Sequence, residues 1–298
     1  MKNYIIKASQ RIKLPGFAQL SLYDVTIFFL KGLIEGSITT RASSLAFNFF
    51  LALFPSIIVI FTLIPYIPII DFQSTLIELL SLILPESTSN ATFTTIDDII
   101  NNPRGSLLSI GFILALFFST NGVNSLIEAF NASYHIKETR SLINQRLIAL
   151  LITIILSLIL ITTIGLIVFG KIIVNYLISF EIITNNSALL ILYGKWIIIM
   201  IMLFFGITIL FNIAPSEKRK WQLFTPGSIM STVLIILTSV GFNYYINHFS
   251  DYNALYGSIG TLIIILLWMY FNSIIILTGF ELNVSILNAE KKIKLNNK

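Results

Sequence analysis

The sequence predicts an all-α polytopic membrane protein, a bundle of six transmembrane helices preceded by an amphipathic helix lying at the membrane surface. Three observations carry that expectation: too few charges for a water-facing surface, six long charge-free runs, and a one-sided distribution of basic residues. Hydrophobic residues make up 56% of the 298-residue chain, charged residues 11%, and the mean hydropathy is +0.88. A soluble domain carries roughly 25% charged residues, because its surface must face water. Much of this chain must therefore face lipid.

Charge-free runs lie at 42–70, 105–127, 147–170, 196–216, 221–250 and 252–280. Each holds the roughly 20 apolar residues that a helix needs to cross the hydrocarbon core. The last two runs are separated only by Asp251, so a turn is expected between His248 and Asn253, where polar residues cluster. The runs are too long and too uniformly apolar for barrel strands, and lipid admits only helices or closed barrels. A helical bundle follows.

Lysine and arginine set the orientation. One side of this arrangement holds the N-terminal segment and the connections after the second and fourth spans, together with the tail. It collects 16 of the 19 basic residues and leaves only Arg104, Lys171 and Lys195 for the other. Both termini are expected in the cytoplasm of a bacterial inner membrane. A reporter fused after Lys298 should be active inside, and one inserted near Asn90 should report the outside; both on one side would refute six spans. The net charge of +5 is read in the same way, as topology determinants and lipid headgroup contacts, with no nucleic-acid partner.

The expected organisation is a cytoplasmic N-terminal segment at 1–41, a transmembrane domain at 42–288 with an external loop at 66–104, and a basic cytoplasmic tail at 289–298. Within the first part, residues 22–38 place Val25, Phe28, Phe29, Leu33 and Ile34 at helical spacing, with Asp24, Lys31 and Glu35 elsewhere. Residues 72–84 form a second amphipathic stretch before Pro85. No long apolar core followed by a cleavage site marks the N-terminus, so no cleavable signal is expected. No convincing internal repeat relates the two halves.

Chemistry is sought among polar residues at membrane depth, where a charge costs on the order of 2.5–3.5 kcal/mol on insertion scales. Asn121, Asn124, Glu128 and Asn131 stand 3, 4 and 3 residues apart and share one face of the second span. That face is expected to turn inward, towards the first or sixth span, either as interhelical hydrogen bonding or as a solute or ion path. The first span begins with Arg41 and continues through Ser44, Asn48 and Pro55 on roughly one face, with the proline freeing a carbonyl at mid-depth. Arg41, Glu128, Arg146 and Glu281 fall at one cytoplasmic level, where two acids and two bases are expected to pair, as an anchor or as an inner gate. Glu128 is the acid of the second span and the candidate for a proton-linked step.

Other chemistries find little. The absence of cysteine excludes disulfides, thiolate metal sites and cysteine nucleophiles. His135 and His248 fall on opposite sides of the membrane, and no Gly-rich phosphate loop is present. Neither a catalytic constellation, a metal site nor a cofactor is expected. Gly257 and Gly260 stand at a spacing that suits close helix approach.

Four stretches in order then carry a resemblance: RASSLAFNFFLALFP at 41–55, GFILALFFSTNGVNSLIEAFNASY at 111–134, WQLFTPGSIMS at 221–231, and YGSIGTLIIILLWMYFNSIIILTGFELN at 256–283. Together they make the chain similar to the YihY/BrkB family of bacterial inner-membrane proteins. Pro226, Gly227, Trp268, Gly279, Glu281 and Asn283 match the family pattern. Phe47 and Phe118 depart from it, standing where the family usually has Tyr and often has Trp, so a hydroxyl and an indole donor are lost. The resemblance implies a six-span transporter, with some members linked to lipid export or serum resistance. It also brings an old label as a tRNA-processing ribonuclease, formerly ribonuclease BN. That label finds no support in these residues, which lack a basic groove and an acid/base pair. The function expected is transport of a lipid-like or amphiphilic anion, with membrane lipids as partners and no ATP-hydrolysing part. A membrane scaffold that organises the envelope is the alternative, and an intramembrane enzyme is the third reading. The candidate transport or gating residues are Arg41, Asn48, Pro55, Asn121, Asn124, Glu128, Asn131, Arg146, Glu281 and Asn283.

Overall fold

The computed structural model describes residues 21, 23, 25–27, 29, 37–63, 105–133, 138–180, 185–217, 220–248 and 258–296. They form six long helices: α1 (Ile38–Leu63), α2 (Gly105–Ser133), α3 (Leu142–Ser179), α4 (Asn185–Ile213), α5 (Pro226–His248) and α6 (Ser258–Asn296). Each contains a stretch long and apolar enough to cross a membrane. The protein is thus an all-α membrane protein with six candidate spans. The expected amphipathic stretch at 72–84, the external loop at 66–104 and His135 lie outside the described residues. α5 is described as far as His248, and the rest of the turn expected between His248 and Asn253 lies outside the described residues. α6 runs 39 residues, about 58 Å at 1.5 Å per residue, so it outlasts the hydrocarbon core and carries the start of the basic tail as helix.

The distribution of side chains is inverted relative to a soluble protein. Large apolar residues point outward, with Ile113 and Ile161 both 64% exposed, while Ser228 and Ser231 are fully buried. Lipid solvates the former. The latter face other helices, because a lipid-facing hydroxyl would have no partner beyond its own helix.

Sharp local signals set the helix ends. Ser141 caps α3, its Oγ accepting from the Asn144 amide at 3.3 Å. α4 stops just before Ala214-Pro215, as expected where proline follows. Thr225 precedes Pro226 at the first position of α5. The Thr225 Oγ1 accepts from the Ser228 amide at 3.2 Å, and the Ser228 Oγ accepts from the Thr225 amide at 3.3 Å, a reciprocal capping box.

Two compact units divide the chain, one of residues 48–122 and one of residues 1–47 with 123–298. In the first, α1 and α2 run antiparallel, Gly122 lying against the Phe49 ring and Gly111 against Ile58. Pro55 is buried within α1. The second unit contains the rest of these two helices with α3–α6, in which α3 packs on α4, α4 on α5, and α5 on α6. An aromatic hub joins α2, α4 and α6. Phe130 stacks on Phe280 at 4.0 Å between ring centroids, and Phe211 meets both edge-on at 5.6 and 5.5 Å. Each such pair contributes about 0.5–1.5 kcal/mol beyond its buried area.

Among the described glycines, those with the least room for a side chain lie between α5 and α6. A Cβ on Gly227 would overlap the Gly279 carbonyl oxygen, and one on Gly279 would overlap the Ser231 hydroxyl. Backbones meet there because neither helix carries a side chain at the crossing. The crossing is thus at Gly227 and Gly279, whereas Gly257 and Gly260 had been expected to serve such a contact; Gly260 is buried and Gly257 lies outside the described residues.

The N-terminal segment also forms helix where it is described, at Tyr23, Val25–Ile27 and Phe29. Two of its apolar residues, Val25 and Phe29, pack on protein. Val25 is 2% exposed against Leu282, Ile286 and Ala289 of α6, with Phe29 and Met230 beside them.

Candidate functional site

The unit of residues 1–47 and 123–298 holds three polar assemblies near one end of its helices. The first centres on Arg41, in the first turn of α1. Its Nη1 donates to the Ala129 carbonyl at 2.6 Å and to the Ser133 Oγ at 2.8 Å. Both acceptors lie at the C-terminal end of α2, where the helix dipole favours a cation. The Nε and Nη2 are buried without a hydrogen-bond partner among the described residues. A guanidinium so desolvated needs a nearby anion, and Glu281, 4% exposed on α6, supplies the electrostatic attraction. Arg41 and Glu281, placed at one level by the sequence, are thus within electrostatic reach of each other.

The second assembly ties two connections to α2. The Asn131 Nδ2 donates to Glu138 Oε2 at 2.6 Å, while its Oδ1 accepts from the Ser216 amide and hydroxyl at 2.9 and 3.1 Å. Glu138 takes a two-point pair from Arg140, at 2.7 Å on each oxygen, and Arg140 Nη2 also donates to the Ala214 carbonyl at 2.9 Å. One buried asparagine thereby joins the α2–α3 connection to the α4–α5 connection. Hydrogen bonding from Arg140 holds the Glu138 carboxyl below its usual value. A carboxylate with a lowered pKa contributes stability above its unfolded pKa, and that contribution is lost as pH falls through the lower, folded value. This tie is accordingly intact at neutral pH and loosens only in acid.

Asn124 ties another part of the α2 polar face to α3. Gln145 Nε2 donates to Asn124 Oδ1 at 2.8 Å, and Asn124 Nδ2 donates to Glu128 Oε1 at 2.8 Å. These partners differ from the first or sixth span expected for this face. A short connection brings the first turn of α3 alongside the end of α2, so its side chains arrive first. Glu128 and Arg146 are exposed, whereas Asn131 is buried. Asn48, Pro55 and Asn121 belong to the 48–122 unit, where Asn48 and Asn121 are half-buried.

The third assembly surrounds Asn283 of α6. Its Oδ1 accepts from the Gly227 amide at 2.8 Å, and its Nδ2 donates to Thr225 Oγ1 at 2.9 Å, so α6 completes the cap of α5. Asn212 of α4 grips the backbone of Gln222 at both its amide and its carbonyl, each at 3.0 Å. These groups line a cavity of about 90 Å³, whose further polar walls are Lys220 and Glu290 and whose apolar walls include Phe211, Phe280 and Ile286. Directly along the same helices runs an apolar groove of about 310 Å³, from Ile199 to Leu210 on α4 and at Ile276 on α6, with Ile235 of α5. The groove's last residues, Leu210 and Ile276, adjoin the cavity's first, Phe211 and Phe280. A small polar chamber and an apolar groove thus lie next to each other along α4 and α6, with the buried Phe211 and Phe280 in the chamber wall. Another groove, about 440 Å³ and mainly apolar, lies between α1 and α6 at Phe47, Leu266 and Tyr270. The Ser43 and Tyr270 hydroxyls are its polar groups, so this part of the interface between the first and sixth spans lacks the polar lining that the sequence suggested for a transport path.

Of the chamber's polar residues, only Asn283 was singled out from sequence. Thr225-Pro226-Gly227-Ser228 carried a readable capping signal, but Asn212, Lys220, Gln222 and Glu290 gave none. Among the described residues, no three histidines, aspartates or glutamates stand together as metal ligands.

Comparison with known proteins agrees with this architecture. The model of the family described as virulence factor BrkB matches residues 29–298. YfkH of Bacillus subtilis (strain 168), whose description reads ribonuclease-like, is 30% identical over 256 residues, covering 85% of this chain and 91% of the relative. UPF0761 membrane protein NTHI0384 of Haemophilus influenzae (strain 86-028NP) is 24% identical over 266 residues, covering 88% and 95%. A UPF0761 membrane protein of Coxiella burnetii (strain Dugway 5J108-111) is 25% identical over 245 residues, covering 80% and 84%. No solved structure matches.

Proposed function

Starting from the fact that this chain belongs to the BrkB virulence-factor family, we propose that it transports a lipid-like, anionic amphiphile across the bacterial inner membrane, with both termini in the cytoplasm. One observation carries the reading: the polar chamber and the apolar groove follow each other along α4 and α6. An amphiphile needs that sequence of environments, a hydrated end for its headgroup and an apolar length for its chain. Lys220 supplies the positive charge for the headgroup, and Asn212, Asn283 and Thr225 supply amides and a hydroxyl. The groove's volume lies at the lower end of ligand pockets in general. Energy comes from an ion gradient or from the substrate's own gradient, and Glu128 is the acid through which a proton-linked step would run. The ribonuclease-like description of the Bacillus relative is not adopted, because the polar assemblies are built of side chains that bond one another and backbone carbonyls.

Reconstitution tests the proposal. Liposomes carrying labelled phosphatidylglycerol in one leaflet should lose that asymmetry faster with the protein than without it. Lys220→Glu, which reverses the chamber's charge, should slow movement by about tenfold, the effect of roughly 1.4 kcal/mol on headgroup binding. Glu128→Gln should slow it if a proton gradient drives the step. No movement above empty liposomes would favour the scaffold.

A further inference from the structure

The connection from α4 to α5 turns back along the helix it leaves. The Gln222 amide donates to Asn212 Oδ1, and Asn212 Nδ2 donates to the Gln222 carbonyl, each at 3.0 Å. One residue on, the Leu223 carbonyl accepts from the Thr208 hydroxyl at 3.3 Å. The Phe224 ring then stacks on Phe204 at 5.3 Å between centroids. These partners step back along α4 four residues at a time, ending on a ring nine residues, about 14 Å, before the end of the helix. All three belong to the candidate span Gly194–Ile213. Lys220, Gln222 and Thr225 line the polar chamber, while the apolar residues between them stand outside it. Trp221, Leu223 and Phe224 are 54%, 48% and 76% exposed.

We propose that residues 220–224 form a lipid-binding strap, which enters the leaflet at that end of α4 and lays Trp221, Leu223 and Phe224 against phospholipid acyl chains. Such a surface is costly in water. Lipid is the occupant because the two helices that the strap joins present the same kind of surface, at Ile201 and Phe205 on α4 and at Ile229 and Val233 on α5. The backbone is suited to that solvent. Irregular chain persists at membrane depth only where its amides and carbonyls find partners in protein. Here the Gln222 amide, the Gln222 and Leu223 carbonyls and the Thr225 amide are all paired with side chains. Asn212 and Thr208 thereby do for this stretch what water does for an ordinary loop. Lys220, exposed where the strap begins, keeps its ammonium among the headgroups and complements their phosphates. The strap is a property of the fold and does not depend on transport.

The tryptophans of the chain are Trp196, Trp221 and Trp268, few enough for fluorescence to read the depth of this one stretch. Exchanging all of them for phenylalanine and introducing Phe224→Trp leaves a single indole at the deepest ring of the strap. With the full-length protein in vesicles of phosphatidylcholine brominated along the acyl chain, emission should fall about twofold against unbrominated vesicles, because a ring below the headgroups meets those carbons. Iodide in the water should leave it unchanged. Trp221, kept as the sole indole by Trp196→Phe and Trp268→Phe, should also be quenched by bromine, and it serves if the first variant does not fold. Quenching by iodide and not by bromine would overturn the strap and make the connection a water-exposed loop. Quenching by neither would overturn it too, since protein would then cover the patch. Asn212→Ala strips Gln222 of two partners, so it should release the strap and let iodide reach the indole. Protection kept in that variant would overturn the hydrogen-bonded attachment on which the strap rests. Quenching reads depth and not lipid movement, so this proposal and the transport reading fail separately.

Discussion

Gly227→Ala is expected to destabilise the protein by about 3 kcal/mol or more, at or beyond the upper end of ordinary overpacking. The added methyl would overlap the Gly279 carbonyl oxygen and lie 2.7 Å from the Asn283 Cγ and Oδ1. A backbone carbonyl within a helix cannot rotate away as a flexible side chain can. α5 and α6 would have to separate, and the Asn283 bond to the Gly227 amide would stretch with them. Gly279→Ala should be comparably damaging, since its methyl would overlap the Ser231 hydroxyl and lie 2.7 Å from the Gly227 carbonyl oxygen. Adding Ser231→Gly should recover part of that loss, because it removes one of the two obstacles. Gly241→Ala is the counterpart, with nothing within 4 Å of its added methyl. There alanine should be neutral or stabilise by up to about 1 kcal/mol, through helix propensity alone. Thermal unfolding in detergent, followed by size-exclusion chromatography, distinguishes these outcomes. Equal melting of the Gly227 and Gly241 variants would refute the backbone contact.

Arg41→Leu is the second large effect, expected to cost about 1.5–3 kcal/mol, the usual worth of hydrogen bonds from a charged donor. It removes the donor to Ala129 and Ser133 and takes the cation away from Glu281. Glu281→Gln should also destabilise, and more than a loop change such as Glu86→Gln. The double variant Arg41→Leu with Glu281→Gln should lose less than the sum of the two, because neither charge is then left behind. Strict additivity would mean that Arg41 acts only through α2. Glu128→Gln gives the scale for an exposed acid hydrogen-bonded within its own helix, at roughly 0.5 kcal/mol or less. These comparisons separate a charge that anchors helices from one that merely decorates them.

The site was legible from sequence to differing degrees, and the differences have a common cause. A residue's position along a span gives its depth. Arg41 and Glu281 could be placed at one level for that reason, and the structure brings them within electrostatic reach. Depth does not give the direction a side chain faces, which depends on the rotation of each helix about its axis. The polar face of α2 was recognised, but the partners of Asn124 and Asn131 proved to be Gln145, Glu138 and Ser216 rather than residues of the first or sixth span. Similarly, the glycines that meet are Gly227 and Gly279, a choice made by the register of α5 against α6. Asn212 and Gln222 are ordinary amides in the sequence. They become a chamber wall because the α4–α5 connection folds back onto the end of α4.

The sequence by itself therefore determined the solvent of this protein and the number of its candidate spans, while the local capping signals at Ser141 and Thr225 were recognised only in the structure. Solvent and span number depend on composition over about 20 residues, so no distant partner is needed to specify them. The tertiary structure alone decided which helices touch at their backbones, where Val25 docks, and that a polar chamber adjoins an apolar groove. In lipid, apolar side chains favour no particular neighbour, since the hydrocarbon around them is equally apolar. Helix facing is set instead by the few sites where small residues allow close approach or polar groups find partners, and those matches exist only between helices.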